Sequence, residues 1–129
     1  MPVLLDSTVL IDFLRGRPTA ERVRHLARRG EPLLVSGINV EEVVRGLKDD
    51  EDDAARRMFA GLQVVPLGFD EGWQAGLWRS EFAARGLTLS QADCLVAATA
   101  HLAGARLATG NPSHFPMQGL DVEHWPVGE

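Results

Sequence analysis

Val3-Leu4-Leu5-Asp6-Ser7-Thr8-Val9-Leu10-Ile11-Asp12-Phe13-Leu14 opens on three apolar residues, breaks on an acid, and continues as a segment of helical length. Val3-Leu4-Leu5 is too short and too apolar for anything but a buried strand, whereas the run from Ser7 can turn helical. Asp6 therefore falls at the carboxyl end of a strand, where the chain hands over to a helix. The same hand-over recurs. Pro32-Leu33-Leu34-Val35-Ser36 reads as a second buried strand and leads into Asn39-Val40-Glu41-Glu42-Val43-Val44-Arg45-Gly46, with Gly46 as the helix stop. Ser90-Gln91-Ala92-Asp93-Cys94-Leu95-Val96-Ala97-Ala98-Thr99-Ala100-His101-Leu102 has small residues all round, as a tightly packed core helix would, and carries Asp93 in its first turn.

Each acid has a plainer reading as a helix cap. Asp6 can cap the helix after it, and Asn39 with Glu42, like Ser90 with Asp93, matches the spacing of a capping box. Taken together the three acids say more. In open α/β sheets ligands bind outside the carboxyl ends of the strands, so Asp6, Glu42 and Asp93 would converge at one sheet edge, whereas independent caps need not. A Thr109-Gly110-Asn111 turn follows the last of the longer strand-like runs and belongs to the same edge.

The remaining elements alternate. The pattern predicts strand 2–5, a helix near 8–14, a break at Pro18, and helix 19–29 ended by Gly30. It continues with strand 33–36, helix 40–47, and a helix of 50–62 with Ala55, Met58, Phe59 and Leu62 on one side. Strand 63–67 follows, then a helix from Phe69 to Arg85 with Phe69, Trp73, Leu77 and Phe82 turned inward and Gly86 closing it. Helix 90–102, strand 105–109 and a short strand around Val122 complete the chain. Strands separated by helices imply right-handed crossovers and a three-layer α/β sandwich with a mostly parallel central sheet.

Composition narrows the classes. A chain of 129 residues, 45% hydrophobic and 24% charged, suits a single domain over residues 1–129. It shows neither a run of 18 or more apolar residues nor a charged-then-apolar leader, so a cytoplasmic protein is expected, without membrane span or export signal. The lone Cys94 lies in the apolar helix and reads as a small buried thiol. A net charge of -5 argues against a protein that coats nucleic acid by bulk electrostatics. Charge is uneven, however: residues 1–48 hold eight Arg and Lys against six acids, and Asp49 to Asp53 is wholly acidic. Arg22, Arg24, Arg28 and Arg29 read as the solvated face of a helix whose other face is Val23, Leu26 and Ala27, with a basic rim beside the acidic centre as the sharper alternative.

These motifs resemble the PIN domain, and within it the VapC-type ribonuclease toxins of toxin-antitoxin pairs. The resemblance runs nearly end to end. It covers the opening strand with Asp6, then Val35 to Gly46, where alignment on Val43-Val44-Arg45-Gly46 makes Glu42 rather than Glu41 the matching acid. Ala92 to Ala100 follows with Asp93, and Leu107 to Phe115 is the fourth block. Where the family often carries a fourth acid, just before the Phe of that block, this chain has His114.

The resemblance implies an endoribonuclease dependent on Mg²⁺ or Mn²⁺. Asp6 and Asp93 would bind the metal directly or through its waters, and Glu42 would complete the cluster or orient the attacking water. Asn111, Thr8 and Thr109 would position carboxylates and water by hydrogen bonds. Clustered acids repel, so at least one carboxyl pKa is expected to rise without metal. Hard Mg²⁺ prefers oxygen, so His114 is expected at the rim, touching phosphate, rather than as a ligand. His25, His101 and His124 are expected to be structural or exposed. The family further implies a cognate antitoxin partner, an RNA substrate, contact with DNA only through the antitoxin, and a homodimer, for which the Trp73, Trp78 and Phe82 segment supplies aromatic surface.

Other classes fit less well. A haloacid-dehalogenase-type phosphatase wants a second acid two residues after the first, where Thr8 stands, and a response-regulator receiver wants a late lysine, whereas the only lysine is Lys48. A catalytically decayed PIN-fold protein or RNA-binding module is the stronger alternative, with His114 as its mark.

Overall fold

The computed structural model describes residues 1–128. Five strands, β1 (Val3–Leu5), β2 (Leu33–Ser36), β3 (Gln63–Val65), β4 (Arg106–Thr109) and β5 (Val122–His124), form one sheet in the order β3-β2-β1-β4-β5. Every neighbouring pair is parallel, with Leu4 opposite Leu34 and Leu107. Six α-helices connect them: α1 (Ser7–Leu14), α2 (Thr19–Arg28), α3 (Gly37–Arg45), α4 (Asp52–Ala60), α5 (Phe69–Ala84) and α6 (Gln91–Leu102). A 3₁₀ turn at Pro112–His114 follows β4.

The alternation of strand side chains divides the core in two. Leu4, Leu34 and Leu107 pack on one face of the sheet with Ala75, Trp78 and Phe82 of α5 and with Val96, Ala97 and Ala100 of α6. Val3, Leu5, Leu33, Val35 and Ala108 pack on the other face with Val9 and Leu10 of α1, Val23 and Leu26 of α2, Val43 of α3 and Met58 of α4. Helices cover both faces, so the three-layer α/β sandwich holds, and its sheet is parallel throughout.

Four local expectations need correction. Helix α3 starts at Gly37 rather than residue 40, because Ser36 caps it: the Ser36 side chain accepts from the Asn39 N–H, and the Asn39 side chain accepts from the Ser36 N–H. The capping box is thus Ser36 with Asn39, one turn earlier than Asn39 with Glu42. Helix α4 is shorter than 50–62, since Asp50 adopts a left-handed φ of 72° and Glu51 takes the cap position. Its apolar side is as expected, with Ala55 and Met58 buried and Phe59 and Leu62 half-buried.

The third correction concerns α5. Phe69, Trp73 and Leu77 are 78%, 62% and 52% exposed, and the inward stripe is Ala75, Trp78 and Phe82. The helix carries two apolar stripes, and only one can meet the small residues of α6. Trp78 and Phe82 take that place, while Phe69 and Trp73 stack on each other at 5.7 Å on the outside. In α2, Val23 and Leu26 are buried as expected but Ala27 is exposed. Phe82→Ala should cost about 3–5 kcal/mol of stability, and Trp73→Ala about 0.5 kcal/mol or less. Urea unfolding of both variants checks this, and a costlier Trp73→Ala would reverse the assigned faces.

Candidate active site

The carboxyl edge of the sheet holds a cavity of about 370 Å³. Asp6, Ser7 and Thr8 enter it from the β1–α1 junction, Glu42 from α3, Ser90 and Asp93 from the start of α6, and Asn111 and His114 from the turn after β4. The structure therefore brings Asp6, Glu42, Asp93, Asn111, Thr8 and His114 to one place. Thr109 stands behind them, fully buried.

Asp6 has the N-cap position of α1, yet its side chain makes no capping bond to that helix's second or third residue. Its Oδ2 instead accepts from Thr109 Oγ1 at 2.7 Å and from Thr8 Oγ1 at 3.3 Å. Both hydroxyls are themselves fixed by the turn after β4, with the Asn111 N–H donating to Thr109 Oγ1 and the Gly110 N–H to Thr8 Oγ1. Thr8 and Thr109 thus both donate to the same oxygen of the Asp6 carboxylate. Asn111 contributes through its backbone, and its exposed side chain is left to the cavity.

Glu42 is held differently. Its Oε1 accepts from Ser7 Oγ at 2.7 Å, Ser7 accepts from Asn39 Nδ2 at 3.0 Å, and Asn39 Oδ1 accepts from the Ser36 hydroxyl and N–H. Ser7, Asn39 and Ser36 were not foreseen as members of the site. For Ser36 and Asn39 the signal lay in their three-residue spacing, which is that of a capping box, whereas Ser7 is joined only by long-range contacts. Ser90 caps α6 by accepting from the Asp93 N–H, but the Asp93 carboxylate returns no bond and stays half-buried in the cavity.

Burial pushes the Asp6 carboxyl above its ordinary range, Thr109 and the Ser7 N–H pull it down, and repulsion by Asp93 adds a smaller upward push. The expected rise in a carboxyl pKa is present, but desolvation rather than mutual repulsion is its first cause. His114 is the only basic side chain lining the cavity, with Nδ1 3.5 Å from Asp93 Oδ2. The basic-rim alternative fails. Arg24 and Arg28 pair with Glu21, and Arg22 pairs with Glu123 and lies 4.2 Å over the Trp125 ring. His25 and His124 are exposed, and His101 packs edge-on to Trp78. Cys94 is buried, and its burial raises the thiol pKa, away from reactivity.

The donor set suits a hard divalent cation: three carboxylates, an amide and hydroxyls, with one imidazole at the side. Among the described residues no three of His, Cys, Asp and Glu stand close enough to ligate one ion together. The expected shared shell of Asp6, Glu42 and Asp93 is therefore not preassembled.

A PIN-domain family profile matches residues 3–115. The chain belongs to the PIN-domain family. Ribonuclease VapC10 of Mycobacterium tuberculosis is 33% identical over 115 residues, covering 89% of this chain and 86% of the relative. Ribonuclease VapC19 of the same organism is 30% identical over 115 residues, covering 88% and 92%. Among solved structures, VapBC2 from Rickettsia felis, bound to a DNA fragment from its promoter, superposes with a TM-score of 0.86 over 97% of this chain and 99% of that one. At 20% identity that likeness speaks for the fold alone.

In this PIN domain the C-terminal segment clamps the turn that carries the site. The Trp125 N–H donates to the Thr109 carbonyl, and the Gly128 N–H donates to Asp12 Oδ2. Val127 closes over Gly110, where an added Cβ would lie 2.6 Å from Val127 Cγ2 and 3.3 Å from Thr8 Oγ1. Gly110→Ala should cost about 1–3 kcal/mol through overpacking, and Val127→Ala in the same chain should return part of it. A double-mutant cycle by urea unfolding reads that coupling; additive costs would show that Val127 is not the obstacle.

Asp6 also sets a pH dependence. Its folded pKa is raised above the unfolded value of about 3.9, so its contribution to stability is full below that value and is lost as pH rises through the folded pKa. Asp6→Asn removes the loss. In chelator-treated protein the variant should melt above wild type at pH 7, with the gap closing as pH falls through the raised folded pKa toward about 4. A lower melting temperature for Asp6→Asn at pH 7 would contradict the assignment.

Proposed function

We propose that residues 1–129 form a single PIN domain acting as a metal-dependent endoribonuclease, the toxin of a toxin-antitoxin pair. The observation that carries this reading is the convergence of Asp6, Glu42 and Asp93 in one cavity at the carboxyl edge of a PIN-domain sheet, with hydroxyls ordering two of the three. The ribonuclease names of its relatives support it, and an RNA target places its action in the cytoplasm. Among the described residues no helix is long and apolar enough to cross a membrane.

Asp6 and Asp93 would hold Mg²⁺ or Mn²⁺. When bound, such an ion supplies Lewis acidity toward a phosphoryl oxygen and lowers the pKa of water. Thr109 and Thr8 fix the orientation of the Asp6 carboxylate, so the ligand is placed before substrate arrives. Glu42 keeps Oε2 free of hydrogen bonds among the described residues, which leaves it able to accept a proton from the attacking water while Ser7 steadies Oε1. His114 stands at the rim, where its imidazole can donate a hydrogen bond to phosphate.

The antitoxin has a surface on which to dock. Val40 and Val44 of α3, Phe59 of α4, and Leu47 and Val64 line an apolar cavity of about 350 Å³, bordered by Asp52 and Arg56. An amphipathic helix fits such a groove, and a basic side chain extended from it would meet the acids beyond Glu42. DNA contact would come through the antitoxin, as promoter DNA is bound by the Rickettsia felis complex. The exposed Phe69, Trp73 and Leu77 stripe suits a second copy of the chain in a homodimer.

A second reading, an RNA-binding PIN module without catalysis, is favoured by His114 in place of a fourth acid and by the absence of a preassembled ligand trio among the described residues. One experiment separates the two. Purified protein should cleave single-stranded RNA with Mg²⁺ or Mn²⁺ and stop on chelation. Asp6→Ala and Asp93→Ala should reduce cleavage to background with the fold intact by circular dichroism, and Thr109→Val should lose about 10–100-fold through its effect on Asp6. Normal cleavage by both alanine variants, or cleavage indifferent to chelator, would reject the metal-dependent reading.

A further inference from the structure

The acidic cavity does not end at Asp93. A neighbouring cavity of about 280 Å³ shares Ser90, Asp93 and His114 with it and adds Leu87, Thr88, Leu89 and Ser113. The two form one trough, but their chemistry differs. The added residues carry no charge: they are two leucines and two hydroxyls.

Leu87 is the informative residue. It is 46% exposed, which for a lone leucine would mean little. Here it is held in place beside the site. Gly86 ends α5 in a left-handed conformation with φ +84°, its N–H donates to the Ala83 carbonyl, and the Leu87 N–H donates to the Phe82 carbonyl at 2.9 Å. Those bonds are the ordinary closure of a helix by glycine, and they fix the backbone that presents the Leu87 side chain. Leu89, two residues on, is buried and anchors the other end of the loop. An apolar wall on a fixed backbone thus lines the same cavity as an imidazole and the hydroxyls of Thr88 and Ser113.

Resting on the ribonuclease reading above, we propose that the trough formed by Leu87, Leu89, Ser113 and His114 is a nucleobase subsite, taking one unpaired base of single-stranded RNA next to the phosphate at the acids. Phosphate itself is a poor occupant, because this end of the trough offers no Lys or Arg and shares Asp93. A base has what the wall asks for: an apolar ring face for Leu87 and for stacking on His114, and polar edges for Thr88 and Ser113. The volume suits one ring system, lying near the lower end of the roughly 300–1,000 Å³ of small-ligand pockets. Single-stranded RNA is recognised by such splayed, stacked bases, so this subsite would supply the sequence preference that the acids cannot.

The test uses the full chain with isotope-labelled leucine methyl groups, in Mg²⁺, titrated with the four nucleoside 5'-monophosphates and, as a base-free control, ribose 5-phosphate. The Leu87 and Leu89 methyl signals should move upfield by ring current with at least one nucleotide and stay in place with ribose 5-phosphate. Leu87→Ser should weaken that nucleotide roughly five- to tenfold, without change for ribose 5-phosphate. In cleavage of a randomised single-stranded RNA, the same variant should flatten base preference at one position flanking the cut. No methyl shift with any nucleotide, or an equal shift with ribose 5-phosphate, overturns the subsite even if RNA is cleaved. A base-dependent shift in a protein that cleaves no RNA upholds the subsite and removes the nuclease reading instead.

Discussion

The hydrogen bond from Thr109 Oγ1 to Asp6 Oδ2 joins the carboxyl ends of the neighbouring strands β1 and β4, and the site is arranged around it. Two aspartates, Asp6 at the cap of α1 and Asp12 within it, are both buried. Asp12 is matched with Arg17 at 2.8 Å and also accepts the Gly128 N–H. Asp6 has no such counter-charge: hydroxyls and one backbone N–H orient its carboxylate, and they offset only part of the cost of burial, since its pKa still rises. A carboxylate that serves structure is neutralised by its neighbours. One that is ordered, desolvated and left without a cationic partner retains affinity for a cation from outside, and the fold bears the cost.

That cost explains the clamp around the turn after β4. Thr109 and Thr8 can hold Asp6 only while the Gly110 and Asn111 N–H groups hold them. The turn is pinned in its place by the Trp125 N–H on the Thr109 carbonyl and by Val127 over Gly110, with Asp12 fixing the end of the segment. Asp12 therefore acts on the site from a distance, as the anchor of the segment that keeps the turn from moving.

Elements whose cause is local were legible in the sequence. Val3-Leu4-Leu5 can only be a buried strand, and the alternation of β1 and β2 divides the core as the pleat requires. The hand-over from strand to helix put Asp6, after β1, and Glu42, on the helix after β2, at one edge because parallel strands with helical crossovers all end on the same side, whereas Asp93 follows the loop after α5 and has no strand before it. What failed depended on a partner the sequence does not show. The Phe69, Trp73, Leu77 stripe of α5 is as apolar as the Ala75, Trp78, Phe82 stripe, and only the small residues of α6 decide which is buried. Likewise Asn39 reads as a cap on its own, yet its amide spans from Ser36 to Ser7, thirty-two residues away. Ordering of Glu42 through Ser7 is a tertiary fact that no spacing encodes.

Helix α3 shows how closely such tertiary facts are coupled. Asn39 and Glu42, three residues apart, face the Ser7 network. Val43 packs in the core beneath the sheet, Ile38 against the opposite core, and Val40 and Val44 line the apolar groove toward α4. So short a helix cannot shift as a body without disturbing one of these surfaces, because close-packed cores transmit displacement rather than absorb it. Whatever fills the groove presses on the helix that carries Glu42, and whatever draws Glu42 away from Ser7 must do so by side-chain rotation, since the Ser36 and Asn39 cap holds the backbone. Glu42 is thus carried on a helix fixed at its base, with Ser7 on one carboxylate oxygen and its side chain lining the cavity.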